Sequence, residues 1–218
     1  MKDYAVARRR MVREQLVDAG LRDRRVLKAM EEVPRHLFVP KALQHRAHQP
    51  CALPIGHGQT ISRPFTVGLM TTLLELEGHE HVLEVGTGSG YQGAIVARLA
   101  KSVISVERIV PLAEHSRVAL AKMGVENINV LASDGSVGAP DHAPFDAIMV
   151  TACAPELPPM LVGQLKDGGR LLIPVNKGSD QILYRYQRRG SDVTIEQSVS
   201  CRFVPLRTGV DREGVQHA

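Results

Sequence analysis

The sequence predicts an α/β domain: a mostly parallel central sheet with a helical segment before it and an antiparallel hairpin after it. From residue 81 onward, short apolar segments of strand length alternate with segments of helix length, and this alternation is typical of right-handed crossovers in a parallel sheet. Glycines at 86, 88 and 90 directly follow the first strand, where a cofactor-binding turn is expected. Near the end, two segments of alternating apolar and polar residues flank Gly190, which favours a hairpin.

The first eighty residues are predicted to be helical, with one long loop. Apolar residues recur at helical spacing over 6–17, and Gly20 is a natural end for that helix. Asp23 would cap a second helix, which must end before Pro34. Residues 50–64 contain five glycines or prolines and are predicted to form a long ordered loop. A further helix is predicted over 65–76.

The remainder of the chain is predicted to alternate between strands and helices. The predicted strands cover 81–85, 102–106, 128–131, 145–150 and 170–174, followed by the hairpin strands 181–188 and 193–203. The predicted helices cover 91–100, 111–123 and 158–165. Because 218 residues that are 44% hydrophobic can bury one sizeable core, we expect a single domain. It would comprise a helical segment with a substrate loop (1–80), a cofactor-binding α/β core (81–206) and a polar tail (207–218).

Composition and charge favour a cytoplasmic protein. The net charge is +4, but only four Tyr, four Phe and no Trp are present to stack on nucleic-acid bases. No apolar run reaches the roughly 18 residues of a membrane span, and the charged N-terminus is not typical of a secretory signal. The three cysteines lie far apart, with no Cys-x-x-Cys pair, which argues against disulfides and a zinc site. We therefore expect no metal and no nucleic-acid or membrane partner.

The glycine run is compatible with two cofactors. Gly88–Gly93 matches the G-x-G-x-x-G pattern of dinucleotide-binding turns, and Glu107 stands about where a ribose-binding acid is expected. Other features favour S-adenosylmethionine. Gly86 directly follows the strand, Glu84 stands just before it, and 80 residues precede the strand. An acid beside the turn suits a ligand that carries an ammonium and a sulfonium but no pyrophosphate.

Two acids near the ends of later strands support S-adenosylmethionine. Glu107 ends the second predicted strand and can accept both ribose hydroxyls through its two carboxylate oxygens. Asp134, which follows the third strand in an Asp134-Gly135 pair, would accept a hydrogen bond from the adenine amino group. The methyltransferase interpretation is favoured over the nicotinamide one on these grounds.

Five segments are more specific than the glycine turn alone. They are Val33-Pro-Arg-His-Leu-Phe-Val-Pro40, Leu53-Pro-Ile-Gly-His-Gly-Gln-Thr-Ile-Ser62, Val82-Leu-Glu-Val-Gly-Thr-Gly-Ser-Gly-Tyr91, Ser105-Val-Glu-Arg108 and Phe145-Asp-Ala-Ile148. Together they resemble the protein-L-isoaspartate O-methyltransferase family. The resemblance implies a Rossmann-like class I methyltransferase fold, S-adenosylmethionine as cofactor and S-adenosylhomocysteine as product. It further implies methylation of isoaspartyl carboxylates in damaged proteins, which initiates repair through a succinimide.

By position, the resemblance also implies roles for single residues. Ser62 would be the active-site serine, and Thr60, Ile61 and Val204 would join it around the substrate peptide. The implied cofactor contacts are Glu84, Gly86, Thr87, Gly88, Glu107, Asp134 and Gly135. The substrate carboxylate is itself the nucleophile and is ionised near neutral pH, so Ser62 would orient it without forming a covalent bond. We also expect a monomer.

Other interpretations of the same residues stay open. Ser62 stands just before Pro64 and would also serve to cap the following helix. Many family members carry an aromatic and an acidic residue shortly before the Leu-Pro-Ile-Gly motif, where this chain has His48-Gln-Pro-Cys51. The alternative functions are a carboxyl methyltransferase for normal aspartate in a dedicated peptide, an RNA methyltransferase and a nicotinamide oxidoreductase.

Overall fold

The computed structural model describes residues 4–213, apart from the side chains at 197 and 198. The first helix, α1 (Ala5–Val12), continues directly into a π-helical turn (Arg13–Val17). The helix predicted over 6–17 is therefore present, with a change of winding in its second half.

The second helix also agrees with its prediction. Gly20 ends the preceding turn with a φ of 99°. Helix α2 (Arg24–Glu32) begins after Asp23, whose carboxylate accepts hydrogen bonds from two backbone N–H groups of the first turn. Two short 3₁₀ helices follow, at Arg35–Phe38 and Lys41–Arg46.

The region predicted as one long loop contains a small hairpin, so that prediction is wrong in part. Strands β1 (Leu53–Gly56) and β2 (Gln59–Ile61) pair antiparallel through a two-residue turn. Both turn residues, His57 and Gly58, have positive φ, of 53° and 66°, as a primed hairpin turn requires. The preferred residue pairs at such a turn are Asn-Gly, Asp-Gly and Gly-Gly, and His57-Gly58 is none of these, so the sequence carries only a weak hairpin signal. Ile61, the last residue of this hairpin, is buried.

Seven strands form the central sheet. They are β3 (His81–Val85), β4 (Ser102–Glu107), β5 (Ile128–Ala132), β6 (Phe145–Val150), β7 (Leu165–Lys177), β8 (Asp180–Arg189) and β9 (Asp192–Cys201). Their order across the sheet is β5-β4-β3-β6-β7-β8-β9. The pairs from β5 to β7 are parallel, whereas β8 and β9 add antiparallel. The predicted fold class is confirmed.

One strand begins earlier than predicted. β7 starts at Leu165 instead of 170, because Leu165 pairs with Phe145 before a shift in register. The glycines at 168 and 169 lie inside this strand, although such a pair usually marks a turn. The remaining helices are α3 (Pro64–Leu73), α4 (Tyr91–Ala97), α5 (Val110–Lys122) and α6 (Pro159–Gly163).

Both faces of the sheet are covered, and the crevice between them positions the site. Along β3, Val82 packs into the core that includes the N-terminal helices and α4, whereas Leu83 and Val85 pack into the core on the opposite face. Alternation along the strand places Glu84 on the same face as Val82. The chain runs from β3 to β4 and on to β5 on one side, then returns across the sheet to β6, which pairs with β3 on its other side. The strand order therefore reverses beside β3, and a crevice opens at the carboxyl ends of these strands. No helix within residues 4–213 is long and apolar enough to cross a membrane.

Candidate active site

A cavity of about 920 Å³, counted out to its open mouth, lies at the carboxyl ends of β3, β4 and β6. Nine predicted site residues line it: Thr60, Ile61, Ser62, Gly86, Thr87, Gly88, Glu107, Gly135 and Val204. The predicted substrate loop and the predicted cofactor turn therefore face one common space.

The glycine turn is tightly held at Gly86. Its φ is 95°, and a Cβ added there would lie 2.3 Å from Oγ1 of Thr151. That threonine follows β6, and its hydroxyl donates to the Gly86 carbonyl at 2.6 Å. The backbone N–H groups of Gly86 and Thr87 both donate to the Val106 carbonyl. Three strand ends thus fix the turn, and only glycine fits its first position. Thr151 was not among the predicted site residues, although a polar residue directly after a buried parallel strand is expected near the site.

Glu107 ends β4 and lies at the floor of the cavity, with 6% of its surface exposed. One carboxylate oxygen accepts from the Gly88 N–H at 2.8 Å, and the other accepts from the Ile109 N–H at 3.0 Å. Burial raises the pKa of this carboxyl, and the two backbone N–H groups oppose that shift in part. Each oxygen keeps a second lone pair, so the group can hold the glycine turn and still accept from ligand hydroxyls.

Glu84 lies apart from the cavity, unlike its predicted neighbours. It is fully buried, and one of its carboxyl oxygens accepts from the Ser105 hydroxyl at 2.5 Å. The Ser105 oxygen lies 2.6 Å from the Thr87 hydroxyl. Since serine has one proton to donate, Thr87 donates to Ser105. Glu84 therefore reaches the cavity only through these two hydroxyls. Ser105 was not among the predicted site residues, although a serine inside an otherwise apolar strand indicates a buried hydrogen bond.

Burial raises the pKa of Glu84 to about 8, which predicts a pH-dependent stability. In the unfolded chain the carboxyl ionises near its ordinary value of 4.5, while the native state keeps its proton. The free energy of unfolding therefore decreases as the pH rises from the pKa that Glu84 has in the unfolded chain through the pKa that it has in the folded protein.

We expect the Tm of Glu84→Gln to rise relative to the wild type between pH 5 and pH 9. At about 2–4 °C per kcal/mol for a domain of this size, the relative gain should reach several degrees. Glu126→Gln, at an exposed position, controls for the loss of one acid. Thermal melts at pH 5, 7 and 9 make the comparison, and a Tm difference that stays constant across them would refute the prediction.

Asp134 also has protein partners and does not line the cavity. Its carboxylate accepts from the Ser136 N–H and hydroxyl and, through its other oxygen, from the Gly209 N–H at 2.6 Å. Partial burial opposes ionisation, but the N–H groups of Gly209 and Ser136 outweigh it and lower the pKa of Asp134. Gly135 lines the cavity, whereas Asp134 does not.

The C-terminal segment crosses the strand ends as a strap, which we define as residues 203–211. Val204 accepts from the Cys153 N–H, and the Leu206 N–H donates to the Cys153 carbonyl, each at 2.7 Å. Further along, the Asp211 N–H donates to the Arg108 carbonyl. Strap residues 204–207 line the cavity. Part of the predicted polar tail is thus bonded to the core, and residues 214–218 lie outside the described range.

The structure does not support the interpretation of Ser62 as a helix cap. The N-cap of α3 is Arg63, no side chain caps the helix, and Pro64 occupies its first turn. Within residues 4–213 the Ser62 hydroxyl has no hydrogen-bond partner, while its carbonyl accepts from the Arg35 guanidinium at 2.7 Å. The hydroxyl is therefore available to a ligand in the cavity.

The fold and site together define a class I methyltransferase: a seven-stranded sheet with a terminal antiparallel hairpin, a glycine turn after its first strand and an acid after its second. The family model described as protein-L-isoaspartate (D-aspartate) O-methyltransferase (PCMT) matches residues 7–211. The chain belongs to this family, and the resemblance inferred from its motifs is confirmed.

Individual relatives agree with this assignment. The protein-L-isoaspartate O-methyltransferase of Geobacter metallireducens is 51% identical over 205 residues, covering 94% of this chain and 95% of the relative. Protein-L-isoaspartate O-methyltransferase 1 of Syntrophobacter fumaroxidans is 55% identical over 206 residues, which cover 94% of this chain and 96% of the relative. A solved structure of a protein-L-isoaspartate O-methyltransferase is 27% identical and has a TM-score of 0.84. The match covers 93% of this chain and 67% of the chain in that structure.

A second solved structure shares the fold at lower identity. It is a beta-aspartate methyltransferase (PCMT) from Plasmodium falciparum in complex with S-adenosyl-L-homocysteine. It is 24% identical, has a TM-score of 0.79, and covers 92% of this chain and 98% of its own.

Proposed function

We propose that this protein transfers a methyl group from S-adenosylmethionine to the carboxylate of L-isoaspartyl residues in proteins and peptides. The methyl ester would then cyclise to a succinimide, whose hydrolysis regenerates some normal aspartate. The observation that carries the proposal is that the Thr60–Ser62 loop of the family and the glycine turn line the same cavity. A donor and an acceptor could therefore meet there.

The residues of the cavity fit S-adenosylmethionine. The turn residues Gly86 and Gly88 line the cavity, and at Gly86 the missing Cβ leaves the space that the Thr151 hydroxyl occupies. Glu107 offers two carboxylate lone pairs to the ribose diol, and Val106, Ile109 and the strap supply apolar wall. When bound, this cofactor supplies a methyl group attached to a positively charged sulfur. We propose that Glu84 supports the turn through Ser105 and Thr87, and that Asp134 supports the wall by holding Ser136 and Gly209.

The protein itself needs to supply no general base. A substrate carboxyl with a pKa of about 4 is already ionised near neutral pH. The Ser62 hydroxyl would donate a hydrogen bond to one carboxylate oxygen and so direct the other toward the methyl group. Val204 and its neighbours in the strap would exclude water from the same space, and both orientation of the reactants and exclusion of water favour such a transfer.

Methyl transfer to a matched pair of synthetic peptides tests the proposal. One peptide contains L-isoaspartate and the other contains normal aspartate at the same position, and each is incubated with radiolabelled S-adenosylmethionine. We expect base-labile label on the isoaspartyl peptide alone. Label on the normal peptide instead would favour the dedicated aspartyl methyltransferase, and label on neither would refute carboxyl methylation of such peptides.

Substitution of Ser62 by alanine should separate catalysis from cofactor binding. We expect kcat on the isoaspartyl peptide to fall by about 10- to 100-fold, because a hydrogen bond to a charged group contributes about 1.5–3 kcal/mol. Isothermal titration should give a Kd for S-adenosylmethionine near the wild-type value. Ser62→Thr, which keeps a hydroxyl, should retain more activity. An equal loss of turnover and cofactor affinity in Ser62→Ala would indicate a structural role only.

We also propose that the protein acts as a single-domain monomer in the cytoplasm, without a metal and without a nucleic-acid or membrane partner. What supports this is the composition: separated cysteines and few aromatic residues for base stacking.

A further inference from the structure

Arg35 is an unusual residue in this fold because its side chain is completely buried. It begins the first 3₁₀ helix after α2, and none of its surface is exposed. Lysine and arginine are almost never fully buried unless they are paired. Yet, among the described residues, no carboxylate lies within ion-pair distance of Arg35, whereas the buried Arg185 is paired with Glu75 and Glu196.

The guanidinium of Arg35 joins three separate parts of the molecule. Its Nε donates to the Ala47 carbonyl and its Nη2 donates to the Ser62 carbonyl, each at 2.7 Å. Its Cζ lies 4.8 Å from the centre of the Tyr91 ring. Tyr91 is the first residue of α4, directly after the glycine turn, and it also lines the cavity. One rigid plane therefore links the N-terminal segment, the Ser62 loop and the helix that follows the cofactor turn.

Stability alone does not account for this arrangement. A buried cation without a carboxylate carries a desolvation cost, and well-packed apolar side chains can replace buried charges at little or no loss of stability. A guanidinium, however, fixes two carbonyl groups relative to each other and to an aromatic face, because its donors form a planar fork. An apolar side chain of the same volume cannot do so.

We propose that Arg35 is a positioning residue for methyl transfer: it holds the Ser62 backbone at a fixed place relative to α4, and hence the Ser62 hydroxyl relative to the cofactor turn. The inference rests on the proposed function of Ser62. Arg35 does not line the cavity, so it acts through Ser62 and not on the substrate. A small displacement of an orienting group is sufficient to slow a reaction that depends on alignment.

Two substitutions of Arg35 test the proposal. Arg35→Lys keeps the charge but cannot span both carbonyls, and Arg35→Met keeps much of the volume without any donor. We expect each to lower kcat on the isoaspartyl peptide about tenfold or more, with the Kd for S-adenosylhomocysteine within about threefold of the wild type. Arg185→Met is the matched control: it removes a buried arginine outside the cavity lining and should lower Tm without lowering kcat.

A double-mutant cycle with Ser62→Ala gives a readout that a merely structural role would not produce. If Arg35 acts through Ser62, its substitution should cause little further loss of kcat once the hydroxyl has been removed. Additive losses, an unchanged kcat, or a Kd that weakens in parallel with kcat would each overturn the proposal. If Arg35→Met does not fold, Arg35→Lys decides, and failure of both to fold would show that Arg35 serves stability instead. A wild-type protein that does not methylate the isoaspartyl peptide would refute the proposed function separately.

Discussion

Substitution of Glu107 by alanine is expected to weaken S-adenosylmethionine binding by about 100-fold or more. Hydrogen bonds to a charged group contribute about 1.5–3 kcal/mol each, and two ribose hydroxyls would lose their acceptor. The backbone N–H groups of Gly88 and Ile109 would also lose theirs, so the turn itself should loosen. Isothermal titration measures the Kd directly, and the Tm without ligand reports the structural part of the loss.

Two control variants separate the causes. Glu107→Gln keeps one acceptor oxygen and should lose less affinity than alanine. Glu114→Ala removes one negative charge from an exposed position on α5 and should bind as the wild type does. An alanine variant at 107 with unchanged Kd would rule out the ribose role.

Much of the cofactor half of the molecule could be predicted from the sequence, for identifiable reasons. The strands at 81–85 and 145–150 are short apolar runs bounded by polar or turn residues, and the structure reproduces both. Asp23 caps α2 through its own side chain, a local interaction that the sequence displays. For these elements, which depend on neighbours close in the chain, the pattern was sufficient, whereas it did not reveal the equally local hairpin of β1 and β2.

Other details of the site depend on long-range contacts. Glu84 was placed beside the cofactor because it stands near the end of a strand, yet alternation along β3 turns it into the core, toward Ser105. Asp134 is engaged by Gly209, 75 residues further along the chain, and no local pattern reports such a contact. Likewise, Arg35 donates to the Ser62 carbonyl, 27 residues further along the chain.

The glycine at 86 should tolerate substitution worst of all the turn residues. With a φ of 95°, alanine would be strained there, and its Cβ would meet the Thr151 hydroxyl at 2.3 Å. Strain of about 1–3 kcal/mol and overpacking of about 1–3 kcal/mol together predict a Tm lower by roughly 5–20 °C for a domain of this size. Because the turn would shift away from β6, we also expect S-adenosylmethionine affinity to fall by more than about 100-fold.

A control and a rescue variant test the two causes separately. Gly58 also has positive φ, of 66°, but a Cβ there would meet nothing within 4 Å, so Gly58→Ala measures backbone strain alone and should cost about 1 kcal/mol. Adding Thr151→Ala to Gly86→Ala removes the clashing atom and should recover part of the lost affinity and Tm, although not the part due to φ. If Gly86→Ala binds cofactor normally, the turn does not cradle it. If the double variant recovers nothing, the clash with Thr151 is not what excludes a side chain, and backbone conformation alone explains the glycine.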